Sequence, residues 1–86
     1  MDLKITSHAG AEIYKTVEIS IPDDMLIKDL FYQLIEADIL QHEVKKAYRL
    51  RTQQGHIGDY FLESTKKVSE IDITNGISLF IEVLED

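Results

Sequence analysis

Cysteine and tryptophan are absent from the chain, proline occurs once and glycine four times. Without thiols there is neither a disulfide framework to staple a small core nor a thiolate zinc site. The fold must therefore rest on burial alone, and a cytosolic setting is expected. Long apolar runs are missing as well: none exceeds three residues, as at Met25 to Ile27 and Leu79 to Ile81, and Met1-Asp2 opens without a basic segment. Neither membrane insertion nor a signal peptide is expected. Basic residues are scarce, nine against sixteen acidic ones, for a net charge of -7. That surplus repels phosphate backbones and anionic lipid, which argues against nucleic acid as a partner.

What is present suffices for a single domain over residues 1–86, with 44% hydrophobic and 29% charged residues, as in an ordinary folding chain. Leu3 and Ile5 alternate with polar neighbours, the period-2 signature of a half-buried strand, and a turn is expected at His8-Ala9-Gly10-Ala11. Val17, Ile19 and Ile21 then face one way and Thr16, Glu18 and Ser20 the other. This predicts a second strand over 13–21, hairpinned to the first. Pro22-Asp23-Asp24 stops that strand and offers an aspartate cap for a helix beginning near Met25. Ile27, Leu30, Phe31, Leu34 and Ala37 recur at the spacing of one helical face, and the helix is expected to end around Leu40 to His42.

A third strand is read from Tyr48, Leu50 and Thr52 alternating with Arg49, Arg51 and Gln53, ended by Gln54-Gly55. Beyond it come a short strand near Tyr60 to Leu62, a turn at Ser64 to Lys67 and one helical turn around Val68 and Ile71. Asn75-Gly76 marks a tight turn. The last strand, Ile77 to Leu84, places Leu79, Ile81 and Val83 on one face and Ser78, Phe80 and Glu82 on the other.

These faces require one sheet folded around one helix, an α+β class with a mixed sheet of four to five strands packed on one α-helix. A last strand entering mid-sheet, parallel to the first, with the helix on the concave side, makes the β-grasp. The run from Leu62-Glu63-Ser64-Thr65-Lys66-Lys67-Val68-Ser69-Glu70-Ile71 through Asn75-Gly76 to Leu79 resembles the second half of ubiquitin without a gap. Ile21-Pro22-Asp23-Asp24-Met25-Leu26-Ile27-Lys28-Asp29-Leu30 and Ile73-Thr74-Asn75-Gly76 are similar to segments of the small bacterial ubiquitin-like proteins of the YukD and EsaB type. That resemblance implies a non-enzymatic, cytosolic accessory of the type VII secretion system, acting on secretion-system components through protein contacts. An alternative of similar length and acidity is a small β-grasp auxiliary subunit of a multicomponent oxygenase.

Chemistry finds little footing in the residues. His8, His42 and His56 share no metal-ligand spacing, so no metal is expected. Asp23-Asp24 is better read as a cap than as an acid/base pair. Gly55-His56-Ile57-Gly58 is too short to cradle a phosphate and opens no helix. Neither catalytic residues nor a cofactor are expected. The chain ends Val83-Leu84-Glu85-Asp86 with no glycine after Gly76, whereas conjugation needs a flexible Gly-Gly tail, so attachment to targets is not expected.

Recognition is left to the surface. Alternation puts Phe80, Glu82, Arg49, Arg51 and Gln53 on the open face of the sheet, shared with Lys4, Thr6, Glu18 and Ser20. Phe80 beside Arg49 or Arg51 has the composition of a binding hot spot for a protein partner or for a second copy of the chain. Ubiquitin meets its receptors through an apolar patch on this surface. Arg51 and Glu82 stand where apolar residues belong, so ubiquitin receptors are not expected to bind. Lys45, Lys46, Arg49 and Arg51 form a basic stretch suited to an acidic protein.

Overall fold

A computed structural model describes residues 1–10 and 12–84. Strands β1 (Asp2–Gly10), β2 (Ile13–Ser20), β3 (Ala47–Thr52), β4 (Gly55–Phe61) and β5 (Ser78–Val83) form a sheet in the order β2-β1-β5-β3-β4. β1 and β5 run parallel, and the other neighbours pair antiparallel. Helix α1 (Ile27–Glu36) packs across one side. The chain is thus α+β, with a mixed five-stranded sheet and one α-helix among the described residues, in the β-grasp arrangement.

The core follows from alternation. Leu3, Ile5 and Ser7 of β1, Tyr48 and Leu50 of β3, and Leu79, Ile81 and Val83 of β5 are buried against Ile27, Leu30, Phe31 and Leu34 of α1. Phe31 and Tyr48 sit ring to ring, 4.7 Å between centroids. Burying each aliphatic side chain stabilises the fold by about 1.5–3 kcal/mol relative to exposure, and this decides which way β5 faces.

The helix is capped differently from the sequence expectation at both ends. Leu26, extended and without a side-chain cap, precedes it. The carbonyls of Lys66 and Ser64 accept from the Ile27 and Lys28 amides at 2.7 and 3.0 Å. A passing loop therefore supplies acceptors that aspartate was expected to supply. Asp23 instead lies 3.5 Å from the N-terminal ammonium. At the other end Asp38 takes a left-handed φ of 58°. The Asp38 amide donates to Ile35 at 3.0 Å and the Ile39 amide to Leu34 at 2.9 Å, the Schellman pattern, with Asp where Gly is usual. The helix stops there, short of Leu40 to His42.

The segment after the helix is pinned from beneath. Ser7 Oγ, fully buried, donates to the Ile39 carbonyl at 2.6 Å. Tyr48 Oη donates to the Gln41 carbonyl at 2.6 Å and accepts from the Glu43 amide at 2.9 Å. Burial raises the Tyr48 phenol above its ordinary pKa. On the outer side of α1, Tyr32 Oη donates to the Glu63 carboxylate, tying the helix to the 62–67 loop.

Several boundaries also move. β1 runs on through His8 and Ala9 to Gly10, so the turn lies later than expected; Ala11, part of that expectation, falls outside the described residues, as do Glu85 and Asp86. β4 starts at Gly55 instead of near Tyr60, and it carries a bulge, since Leu50 pairs with Gly58 but Arg51 with His56. At Gly58 a Cβ would lie 2.8 Å from Tyr60 Oη, so any larger residue there would force the Tyr60 side chain to shift. Gly76, at φ 81°, makes the tight turn before β5.

Replacing Tyr48 by Phe should keep the ring contact but strand the Gln41 carbonyl and Glu43 amide, lowering unfolding free energy by about 1–3 kcal/mol in a urea titration. A loss below about 0.5 kcal/mol would mean that the phenol does not hold the loop. Asp38→Gly, relieved of its left-handed penalty, should instead raise stability by up to about 1 kcal/mol.

Candidate functional site

The alternation that turns Leu79, Ile81 and Val83 toward α1 turns Ser78, Phe80 and Glu82 outward. Across the sheet the register lines up Thr16, Thr6, Phe80, Arg51 and His56 in one row. A second row aligns Glu82, Arg49 and Asp59. Lys4 pairs with Glu18 and Asp2 with Ser20 on the same face.

Phe80 is half-buried, between core and open surface. The Arg51 guanidinium carbon lies 5.5 Å from its ring centroid, a cation-π contact worth about 0.5–1 kcal/mol at an exposed site. On its other side Thr6 and Thr16 share a hydroxyl hydrogen bond of 2.9 Å. Arg51 also forms an ion pair with Glu82. Arg49 Nε donates to Asp59 Oδ1 at 3.1 Å, and His56 Nε2 lies 2.9 Å from the same oxygen. The hydrogen bond from Arg49, followed by that from His56, holds the Asp59 carboxyl below its ordinary value of 3.8. The Asp59 bond correspondingly raises Arg49. Exposed pairs of this kind contribute about 0–1 kcal/mol each, so they fix side-chain positions more than they stabilise the fold.

Four of the expected residues, Phe80, Arg49, Arg51 and Glu82, therefore come together. Gln53 does not join them as expected. A two-residue turn, Gln53-Gln54, separates β3 from β4, and there Gln53 lines a shallow depression with Thr52, Gly76, Ile77 and Ser78 at the rim of the face. The basic stretch is also divided, because Arg49 and Arg51 have acidic partners on the sheet while Lys45 and Lys46 lie in the preceding loop.

Other residues of the face escaped the sequence reading. Tyr14, 54% exposed, stacks its ring 5.2 Å from His8, and Phe61, 62% exposed, pairs with Ala47 at the far edge. Running the Thr16, Glu18, Ser20 alternation backward would have found Tyr14. Phe61 and Asp59 required the full length of β4, which its two glycines and bulge conceal.

A broader depression is lined by Asp2, Leu3, Lys4, Glu18, Ile19, Ser20 and Gly76 and includes no histidine. Among the described residues no three His, Asp or Glu side chains lie together as a metal ion needs, and no helix is long and apolar enough to cross a membrane. The arrangement on the open face is suited to recognition by contact: a ring backed by strands, flanked by held guanidinium groups. No protein-family model matches the chain, and no curated protein matches it.

Phe80→Ala should cost at most about 1.5 kcal/mol in chemical denaturation, against about 3–5 kcal/mol for Phe31→Ala in the core. Equal losses would place Phe80 in the core as well. The lowered pKa of Asp59 means its contribution is present above pH 3.8 and is lost as pH falls through the folded-state value. Asp59→Asn should thus be slightly less stable than wild type near neutrality, and the difference should shrink as pH falls below 3.8, as read from urea midpoints.

Proposed function

We propose that the chain is a non-catalytic, ubiquitin-like module that binds another protein non-covalently through the open face of its sheet. We also propose that it serves as a cytosolic accessory of a bacterial type VII secretion system. The observation that carries the docking proposal is the half-buried Phe80 under Arg51, set on a face where Tyr14 and Phe61 are more than half exposed. A net charge of -7, with both sheet arginines already paired, favours protein over nucleic acid or anionic lipid. The secretion role rests on the resemblance of Ile21 to Leu30 and Ile73 to Gly76 to the YukD and EsaB type.

Affinity purification from the native host, followed by identification of bound proteins, tests both parts. An FtsK-like ATPase or WXG-type secreted proteins should co-purify with the wild type. Phe80→Ala and Arg51→Glu should each weaken binding of the purified partner by more than about tenfold. Oxygenase subunits in their place would remove the secretion role. Unchanged affinity in both variants would remove the docking face.

A further inference from the structure

We infer that Asn75 is a deamidation site that the fold keeps closed: Asp2 grips both reacting groups, and the reaction waits for the turn at 74–77 to come away from β1. Asn75 is the only asparagine in the chain, and a glycine follows it. Glycine has no side chain to obstruct the approach of its backbone nitrogen to the preceding amide carbon. In the reaction the Gly76 nitrogen attacks Asn75 Cγ, a C–N bond closes a succinimide ring, and the bond from Cγ to the side-chain nitrogen breaks. Ammonia leaves, carrying the proton that the Gly76 amide gives up. Water then opens the ring. Cleavage between Cγ and the Gly76 nitrogen leaves aspartate at 75. Cleavage between the backbone carbonyl carbon and that nitrogen leaves isoaspartate, with the main chain rerouted through the former side chain. Water is the sole co-reactant, and nothing is oxidised or reduced.

The folded geometry opposes the first step. The Ile77 amide donates to the Thr74 carbonyl at 3.2 Å and Gly76 has a φ of 81°, which makes residues 74–77 a type II turn. That turn makes no use of the Gly76 N–H, which donates outward to the Asp2 carbonyl at 2.7 Å. The Asp2 amide in return donates to Asn75 Oδ1 at 2.6 Å. One residue of β1 thus holds the proton of the nucleophile and the oxygen of the electrophile. Attack requires Gly76 to shed the proton it is donating and the Asn75 side chain to leave the Asp2 amide. Beside this clamp the Lys4 amide donates to the Ile77 carbonyl at 3.1 Å, and Lys4 pairs with Ser78 where the β1–β5 ladder starts. Release of the turn therefore opens the first rungs of that ladder. Asn75 and Gly76 are both exposed, so the site is closed by hydrogen bonding and not by burial.

Both products disturb the junction that guards the site. Aspartate at 75 keeps an oxygen for the Asp2 amide but adds a negative charge beside Asp2 in a chain whose net charge is already -7. Isoaspartate lengthens the main chain ahead of Gly76 and shifts Gly76 and Ile77 against their partners, Asp2 and Lys4. Because ammonia is lost, the change is one-way. Each opening of the β1–β5 junction that lasts long enough for ring closure leaves a permanent mark and weakens reclosure. Asn75 thereby records the opening of the sheet at its central pairing.

The test follows the purified chain at mildly alkaline pH, folded and in urea, by peptide mapping with mass spectrometry. Mapping separates Asn75 from Gln54-Gly55, the other side-chain amide followed by glycine. In urea Asn75 should react at the rate of an unstructured peptide spanning residues 72–79, and in the folded chain more than about tenfold more slowly. The slowing should match the open fraction that hydrogen exchange reports for the Gly76 amide. Asp2→Pro deletes the donor to Asn75 Oδ1 at the first residue of a strand, where proline is tolerated. It should speed the folded-state reaction several-fold and leave the rate in urea unchanged. Asp2→Ala keeps the backbone groups and should react at the wild-type rate. Equal wild-type rates folded and in urea would overturn the inference, as would a slowing out of line with Gly76 exchange. A folded Asp2→Pro chain no faster than wild type, or an Asp2→Ala chain as fast as Asp2→Pro, would do the same. Should Asp2→Pro fail to fold, the wild-type rates and Gly76 exchange decide.

Discussion

The placement of β5 governs the molecule. It is the strand that joins the β2-β1 pair to the β3-β4 pair, parallel to one side and antiparallel to the other. Its three inward side chains complete the floor on which α1 rests. Because a strand has a side-chain period of two, burying Leu79, Ile81 and Val83 leaves no freedom over where Phe80 and Glu82 point. A slip of one residue would place a carboxylate under the helix and an isoleucine in water. The composition of the open face is therefore specified by the hydrophobic core on its reverse.

The loops extend this control. Residues 64–67 cap the start of the helix with carbonyls, and the segment after Asp38 is fastened by Ser7 and Tyr48 from the sheet below. The start of α1 thus depends on partners distant in sequence, while its end carries a local Schellman cap and is followed by a segment fastened to the sheet. At ten residues the helix is too short to stand alone and relies on the sheet it covers. On the opposite surface the arginines are handled in the same manner: each is held by an acidic group from an adjacent strand. Their guanidinium groups are held in place by these cross-strand pairs.

How much of this was legible from the residues depended on whether the signal was local. Alternation in Val17, Ile19, Ile21 and in Leu79, Ile81, Val83, and the helical stripe Ile27, Leu30, Phe31, Leu34, gave the elements and their faces because burial repeats with the backbone period. Helix ends were misplaced because their determinants are remote or atypical. Asp38 does the work usually given to glycine, and Ser64 and Lys66 act through backbone carbonyls that carry no sequence signature. β4 was shortened because Gly55, Gly58 and a bulge break the alternation that would reveal it. Gln53 continued the polar side of β3 on paper, yet the chain had already entered the turn. Of the face, Phe80, Glu82, Arg49 and Arg51 followed from parity, whereas Asp59 and His56 depended on a strand pairing that parity does not announce.

The strand order also bears on how the molecule comes into being. β1–β2 and β3–β4 are local hairpins that can close early, but they share no ladder with each other among the described residues. The sheet becomes continuous when residues 78–81 dock beside residues 4–7, a loop closure spanning most of the chain. Contacts so far apart in sequence slow folding relative to a helical bundle of equal size. Until that closure, the edges of β1 and β3 and the apolar side of α1 remain exposed to misassociation, and a surplus of negative charge keeps such unfinished chains apart.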